Sequence, residues 1–272
     1  MALPDNKTKI VCTIGPASNS PEIMEQMIDA GMNIARLNFS HGDFNGHKNV
    51  IENLISASRK AGKRITIMAD LPGPKMRIGQ ILNEPVQLGA GDAFVLTTRQ
   101  VSGNAGIASV TFERLPEVVR PGNILFLNDG IIQLEVVKVS NVDVTCKVIV
   151  GGELRSRKGL NLPGIDLGIG AFTKHDHECL KFAIENGVDA VSQSFVESKA
   201  DIISVREAAK SYGRVPFIIA KIERSGALNN IDDILSVADG IMIARGDLGV
   251  EIPIEQIAVV QKQLMRKANM LG

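Results

Sequence analysis

Short apolar runs alternate with amphipathic helical stretches along most of this chain, and that alternation narrows the fold more than any other feature. Residues 9–15, 33–40 and 65–71 read as strands. Between them, 21–31 and 44–61 carry helical periodicity, the first with Ser20 placed as its N-cap. Crossovers of helix length imply parallel strands. At Pro72-Gly73-Pro74 the texture changes. Helical periodicity fades, and Val- and Thr-rich strands recur at 93–98, 124–127, 131–139 and 142–150, punctuated by Gly91-Asp92 and Asn128-Asp129-Gly130 turns. The first rhythm returns after Gly170. It gives helices at 174–187, 199–212, 225–237 and 254–271, and strands at 190–196, 217–223 and 241–245, with Thr173 and Asp176 spaced as a capping box. The reading is an α/β domain of six βα units, residues 1–72 and 167–272, interrupted by a small all-β module at 73–166. An open doubly wound sheet and part of a (β/α)₈ barrel both fit six units.

The composition excludes several classes. The 272 residues are 44% hydrophobic but only 4% aromatic, so the core is built from Ile, Val, Leu, Ala and Met. Thirty basic residues balance thirty acidic ones, which leaves no global attraction to nucleic acid or to an acidic membrane. Cys12, Cys146 and Cys179 are far apart with no CxxC pair, so reduced thiols are expected. The start, Met1 to Lys7, lacks the basic-then-apolar form of a signal peptide, and no apolar run is long enough to span a membrane. The expected setting is cytoplasmic. Neither a P-loop nor a Gly-x-Gly-x-x-Gly turn occurs after a strand.

Charge collects at the carboxyl ends of the strands, where α/β enzymes place chemistry. Phe217-Ile-Ile-Ala-Lys-Ile-Glu223 runs four apolar residues into Lys221 and Glu223. Alternation puts those two on one face, suited to an anion and a metal, although a structural ion pair would look the same. Arg36, Asn38 and Ser40 share a face at the end of the second strand and suit a phosphate or carboxylate. Asp70 closes the third strand, with Lys75 and Arg77 after it. Arg245-Gly246-Asp247 follows the sixth, where Gly246 admits close backbone approach and Asp247 offers a hard oxygen. Two carboxylates plus substrate oxygens and waters is a common Mg²⁺ arrangement. His175 and His177, two apart on a helix, read as exposed rather than metal-binding. The basic run Arg155 to Lys158 fits a phosphate contact or a solvated loop equally.

In this order, five segments resemble pyruvate kinases: Lys9-Ile-Val-Cys-Thr-Ile-Gly-Pro16, Ala35-Arg-Leu-Asn-Phe-Ser-His-Gly42, Lys158-Gly-Leu-Asn-Leu-Pro-Gly164, Ile219-Ala-Lys-Ile-Glu-Arg224 and Ile243-Ala-Arg-Gly-Asp-Leu-Gly249. The resemblance implies a (β/α)₈ TIM barrel with a small β-barrel lid inserted after its third strand, and phosphoryl transfer from phosphoenolpyruvate to ADP. It implies Lys221 and Arg36 as catalytic residues, with Arg36, Arg77, Lys221, Arg245, Gly246 and Asp247 on substrate. His41, Lys158 and Arg77 would face the nucleotide, and Glu223 and Asp247 would hold Mg²⁺ or Mn²⁺. Many members also use K⁺, at positions matching Asn38, Ser40 and Asp70. Those members carry Thr and Glu where this chain has Leu71 and Lys75. An ammonium group at Lys75 in place of the monovalent cation implies chemistry that does not require K⁺. Family members are homo-oligomers that continue with two more strands and a further domain, so the chain is expected to be the N-terminal part of such an enzyme. The alternatives are a silent fragment that binds without turnover, and another Mg²⁺-enolate barrel enzyme such as an aldolase.

Overall fold

The computed structural model describes residues 8–272; the opening residues read above for a targeting signal lie outside them. The first elements are β1 (Ile10–Thr13), α1 (Pro21–Asp29), β2 (Met32–Asn38), α2 (Phe44–Ala61) and β3 (Thr66–Leu71). Ser20 caps α1 by accepting the Ile23 N–H at 3.3 Å, and Asp43 caps α2 through the Gly46 N–H at 2.7 Å. The β-rich stretch follows: β4 (Val86–Leu88), β5 (Ala93–Thr97), β6 (Ile107–Ser109), the short helix α3 (Leu115–Val118), β7 (Ile124–Leu127), β8 (Ile132–Val139), β9 (Asp143–Val150), β10 (Gly152–Leu154) and β11 (Leu160–Asn161). Helices and strands then alternate again as α4 (Lys174–Glu185), β12 (Ala190–Gln193), α5 (Lys199–Ser211), β13 (Phe217–Ile222), α6 (Ser225–Asn229), α7 (Ile231–Leu235), β14 (Gly240–Ile243), α8 (Arg245–Glu251) and α9 (Ile257–Leu271).

A mixed α/β class, expected from the alternation, is what forms. One sheet has the order β1-β2-β3-β12-β13-β14. Parallel registers join β1 to β2, β2 to β3, β3 to β12 and β12 to β13. A second sheet has the order β11-β7-β8-β9-β5-β6, with β10 and β4 paired apart from it. The chain packs as two compact units. Residues 8–74, Ala171–Lys221 and Asn230–Met242 make one; Lys75–Gly170, Ile222–Asn229 and Ile243–Gly272 make the other.

Inside the second unit, period-2 alternation builds the core. Ile132, Leu134 and Val136 on β8 are buried, as are Val144, Cys146 and Val148 on β9. The antiparallel register sets Leu134 opposite Val148 and Val136 opposite Cys146, so both rows meet on one face. Phe94, Leu96, Leu125 and Leu127 complete it. Each such side chain contributes roughly 1.5–3 kcal/mol on leaving water.

Four local readings change. The strand expected at 190–196 stops at Gln193, because Phe195 takes a left-handed φ of 60° that no strand continues through. The helix expected at 225–237 breaks into α6 and α7 at Asn230, whose side-chain amide donates instead to the Glu197 carbonyl at 2.9 Å. The strand expected at 241–245 ends at Ile243. From Arg245 the chain is helical as α8, which Gly246 and Gly249 disguise in the sequence.

The Thr173–Asp176 capping box forms completely. Asp176 accepts the Thr173 N–H at 2.7 Å and also the Gly73 N–H at 2.9 Å, tying the start of α4 to the turn after β3. Thr173→Ala is expected to cost about 1 kcal/mol in urea unfolding. Among the described residues no helix is long and apolar enough to cross a membrane.

Candidate active site

In the first unit the charged groups gather around the carboxylate of Asp70. Parallel pairing explains how. Arg36 on β2 stands opposite Met68, so its side chain leans two residues along β3 to Asp70, on the same face. Its guanidinium donates through Nε to Asp70 Oδ2 at 3.0 Å and through Nη2 to the same oxygen, while Nη1 donates to Thr13 Oγ1 at 2.9 Å. Ser192 stands opposite Asp70 in the register with β12 and donates to Oδ1 at 2.8 Å. Lys221, buried on β13, places Nζ 3.2 Å from Asp70 Oδ1 and donates to Ser194 Oγ at 2.7 Å. Two cations and a hydroxyl thus share one carboxylate that is only 3% exposed. Such a charge is tolerated in the interior because every lobe of it is engaged.

Asn38 stands opposite Asp70 in the β2–β3 register, but its Oδ1 turns back to accept the Ser40 N–H at 3.1 Å. His41 is exposed. Its carbonyl accepts from His47 Nε2 at 2.9 Å, which fixes the His47 tautomer with its proton on Nε2. The His47 ring lies 4.5 Å from that of Phe39. Burial pushes the His47 pKa below 6.5, offset only in part by the His41 carbonyl and Asp43. The unfolded chain therefore takes up this proton more readily than the folded one. The stability His47 allows is complete above about pH 6.5 and is lost as pH falls through that value toward the lower folded pKa. Urea midpoints of the wild-type chain are expected to fall faster than those of His47→Gln between about pH 7 and pH 5.

In the second unit, the Ala244 N–H donates to the Ile222 carbonyl at 3.2 Å, which sets the end of β14 beside the end of β13. Glu223 follows directly and is 3% exposed, whereas Asp247 is exposed on the first turn of α8. Arg77 bridges to Gly159 and donates to the Arg157 carbonyl at 3.0 Å, with the half-buried Lys158 between those two positions. Lys75 is exposed. A cavity of about 700 Å³ is lined by Phe126, Asp129, Pro163, Arg245, Gly246 and Ile254, among others. Gly130 borders it with a φ of 91°, and a Cβ there would lie 3.2 Å from Val250.

Among the described residues no group of three or more His, Cys, Asp or Glu is arranged to hold a metal ion. Mg²⁺ commonly takes only one or two carboxylates and completes its shell with water and substrate phosphates, and Glu223 and Asp247 are hard-oxygen donors of that kind in the second unit. Neither Cys146 nor Cys179 suits nucleophilic chemistry: burial pushes both thiols up to about 12. His175 and His177 are exposed, as read from their spacing.

Several residues at these sites drew no notice in the sequence. Ser192, Gln193 and Ser194 are polar and buried at the end of an otherwise apolar strand, a signal as plain as that of Lys221. Phe195 beside them holds a backbone conformation rare for a bulky residue. Gly73 is required opposite: its φ is 65°, and a Cβ would lie 3.1 Å from the Ser194 carbonyl. Arg224 and Glu251 are both buried, and their pairing across 27 positions leaves no local trace.

The family model described as pyruvate kinase, barrel domain, matches residues 5–272. A pyruvate kinase of Thermococcus litoralis is 48% identical over 99% of this chain and 57% of its own length. Those of Sporosarcina psychrophila and Thermotoga maritima are 44% and 41% identical over 98% and 95% of this chain, and 46% and 56% of theirs. The chain spans about half the length of the curated relatives it matches. On the extent of that match, the chain belongs to the pyruvate kinase family.

Proposed function

We propose that this chain carries the phosphoryl-transfer residues of a pyruvate kinase, acting on phosphoenolpyruvate and ADP to give pyruvate and ATP. The observation that carries the reading is the buried Lys221, pointed by Asp70 and Ser194 from the end of a parallel strand. Its ammonium group is held without freedom to reorganise, as a group that stabilises developing negative charge must be. Lys221 contacts the transferring phosphoryl group and then the enolate oxygen it leaves. Arg36, oriented by Asp70 and Thr13, binds phosphate, as does Arg77. Arg245 and the backbone at Gly246 receive the substrate carboxylate. His41 and Lys158 are the residues for the nucleotide phosphates, and residues 73–166 correspond to the small β module inserted in the TIM-barrel domain of such an enzyme. Glu223 and Asp247 would hold Mg²⁺, which supplies charge neutralisation on the phosphate oxygens when bound.

The monovalent-cation positions support a K⁺-independent reaction. Asn38 is turned onto Ser40, and Asp70 is already compensated by Arg36 and Lys221. Activity in tetramethylammonium buffer free of Na⁺ and K⁺ is expected to be unchanged by KCl. Strong activation would sink that part of the reading.

Calorimetric titration with ADP in the presence of Mg²⁺ tests the function. Binding is expected, and its absence would favour a carbon–carbon lyase of the same barrel type. Because the chain spans about half of its relatives, binding of ADP and phosphoenolpyruvate without turnover would assign it to the silent class instead.

A further inference from the structure

In the second unit, Arg224 and Glu251 are buried together with side chains 4% exposed each, and Arg224 Nε lies 3.7 Å from Glu251 Oε1. Arg224 Nη2 donates to the carbonyls of Ile165 at 2.8 Å and Leu162 at 3.3 Å. Glu251 Oε2 accepts the Ser225 N–H at 3.2 Å, the Ser225 hydroxyl at 3.1 Å and the Gly164 N–H at 3.5 Å. One ion pair therefore joins three stretches of chain: the segment leaving β13, the last residue of α8, and the segment after β11.

We propose that Arg224 and Glu251 are positioning residues, a buried clasp that aims the metal-binding carboxylates Glu223 and Asp247. The proposal rests on the phosphoryl-transfer reading above. Arg224 is bonded to Glu223 through the backbone, so anchoring its guanidinium on two carbonyls restricts where Glu223 points. Asp247 and Glu251 are four residues apart on α8 and share a face one turn apart. Fixing Glu251 at both oxygens fixes the rotation of that helix about its axis, and with it the heading of Asp247. Neither clasp residue touches the metal. They act as outer-shell partners that orient ligands, whose loss typically weakens metal binding about 10- to 100-fold.

Mn²⁺ titration followed by electron paramagnetic resonance, with no substrate present, tests this on the 272-residue chain. Arg224→Lys keeps the charge but loses the fork, and is expected to weaken Mn²⁺ binding about tenfold with little change in melting temperature. Arg224→Met combined with Glu251→Leu replaces the buried pair by apolar groups, an exchange that often preserves stability. That double variant is expected to melt near the wild-type temperature while its Mn²⁺ affinity stays depressed. A purely structural clasp would restore both together. Glu223→Gln separates the two levels of the account. If it abolishes Mn²⁺ binding while the clasp variants bind as tightly as wild type, the clasp proposal alone is overturned. If the unsubstituted chain binds no Mn²⁺, the metal reading fails and the clasp proposal with it.

Discussion

Lys221→Met is expected to lower phosphoryl transfer by about 10³-fold in a lactate-dehydrogenase-coupled assay, with the fold retained. Methionine preserves most of the side chain's length and its packing on β13, and removes only the ammonium group. Asp70 then still pairs with Arg36 and still accepts from Ser192, so no buried charge is stranded. Rate should therefore fall far more than stability. On the proposed role, the lost charge would act on the enolate oxygen in the transition state, so the decrease belongs in kcat rather than in KM. A variant retaining more than about a tenth of wild-type kcat would remove Lys221 from that role.

Asp70→Asn is expected to do the opposite, striking stability first. The substituted amide presents donors where Arg36, Lys221 and Ser192 all donate. It leaves the Lys221 ammonium group, 8% exposed at the side chain, beside the Arg36 guanidinium without the carboxylate between them. Breaking a buried ion pair by removing one partner costs about 3–5 kcal/mol. Urea unfolding is the measurement. A loss below about 1 kcal/mol would mean that solvent reaches this cluster and screens it.

Much of the fold was legible because burial repeats at two periods. The boundaries of β7 and α2 follow from their sequences alone, and Ser20 and Thr173 mark where helices begin. What escaped were features decided by distant chain. Nothing near Gly246 or Gly249 advertises a helix; α8 has one fully buried residue, Leu248, and a cavity along its flank. Glycines lower the local propensity, and tertiary context overrides it. The same holds for the sites. Lys221, Asp70 and Arg36 stand out as charges in apolar strands. That they form one cluster follows from the strand register, which brings together residues 34 and 151 positions apart. Arg224 looks like an ordinary polar residue after a strand. Its importance lies in the carbonyls of Leu162 and Ile165, which only the folded chain brings to it.

Transfer of labelled phosphoryl from ³²P-phosphoenolpyruvate to ADP in a single turnover, with Mg²⁺ and excess chain, tests the central claim most directly. Labelled ATP is expected from the wild-type chain and not from Lys221→Met. Equal labelling by both, or none from a wild-type chain that binds both substrates, would contradict the account.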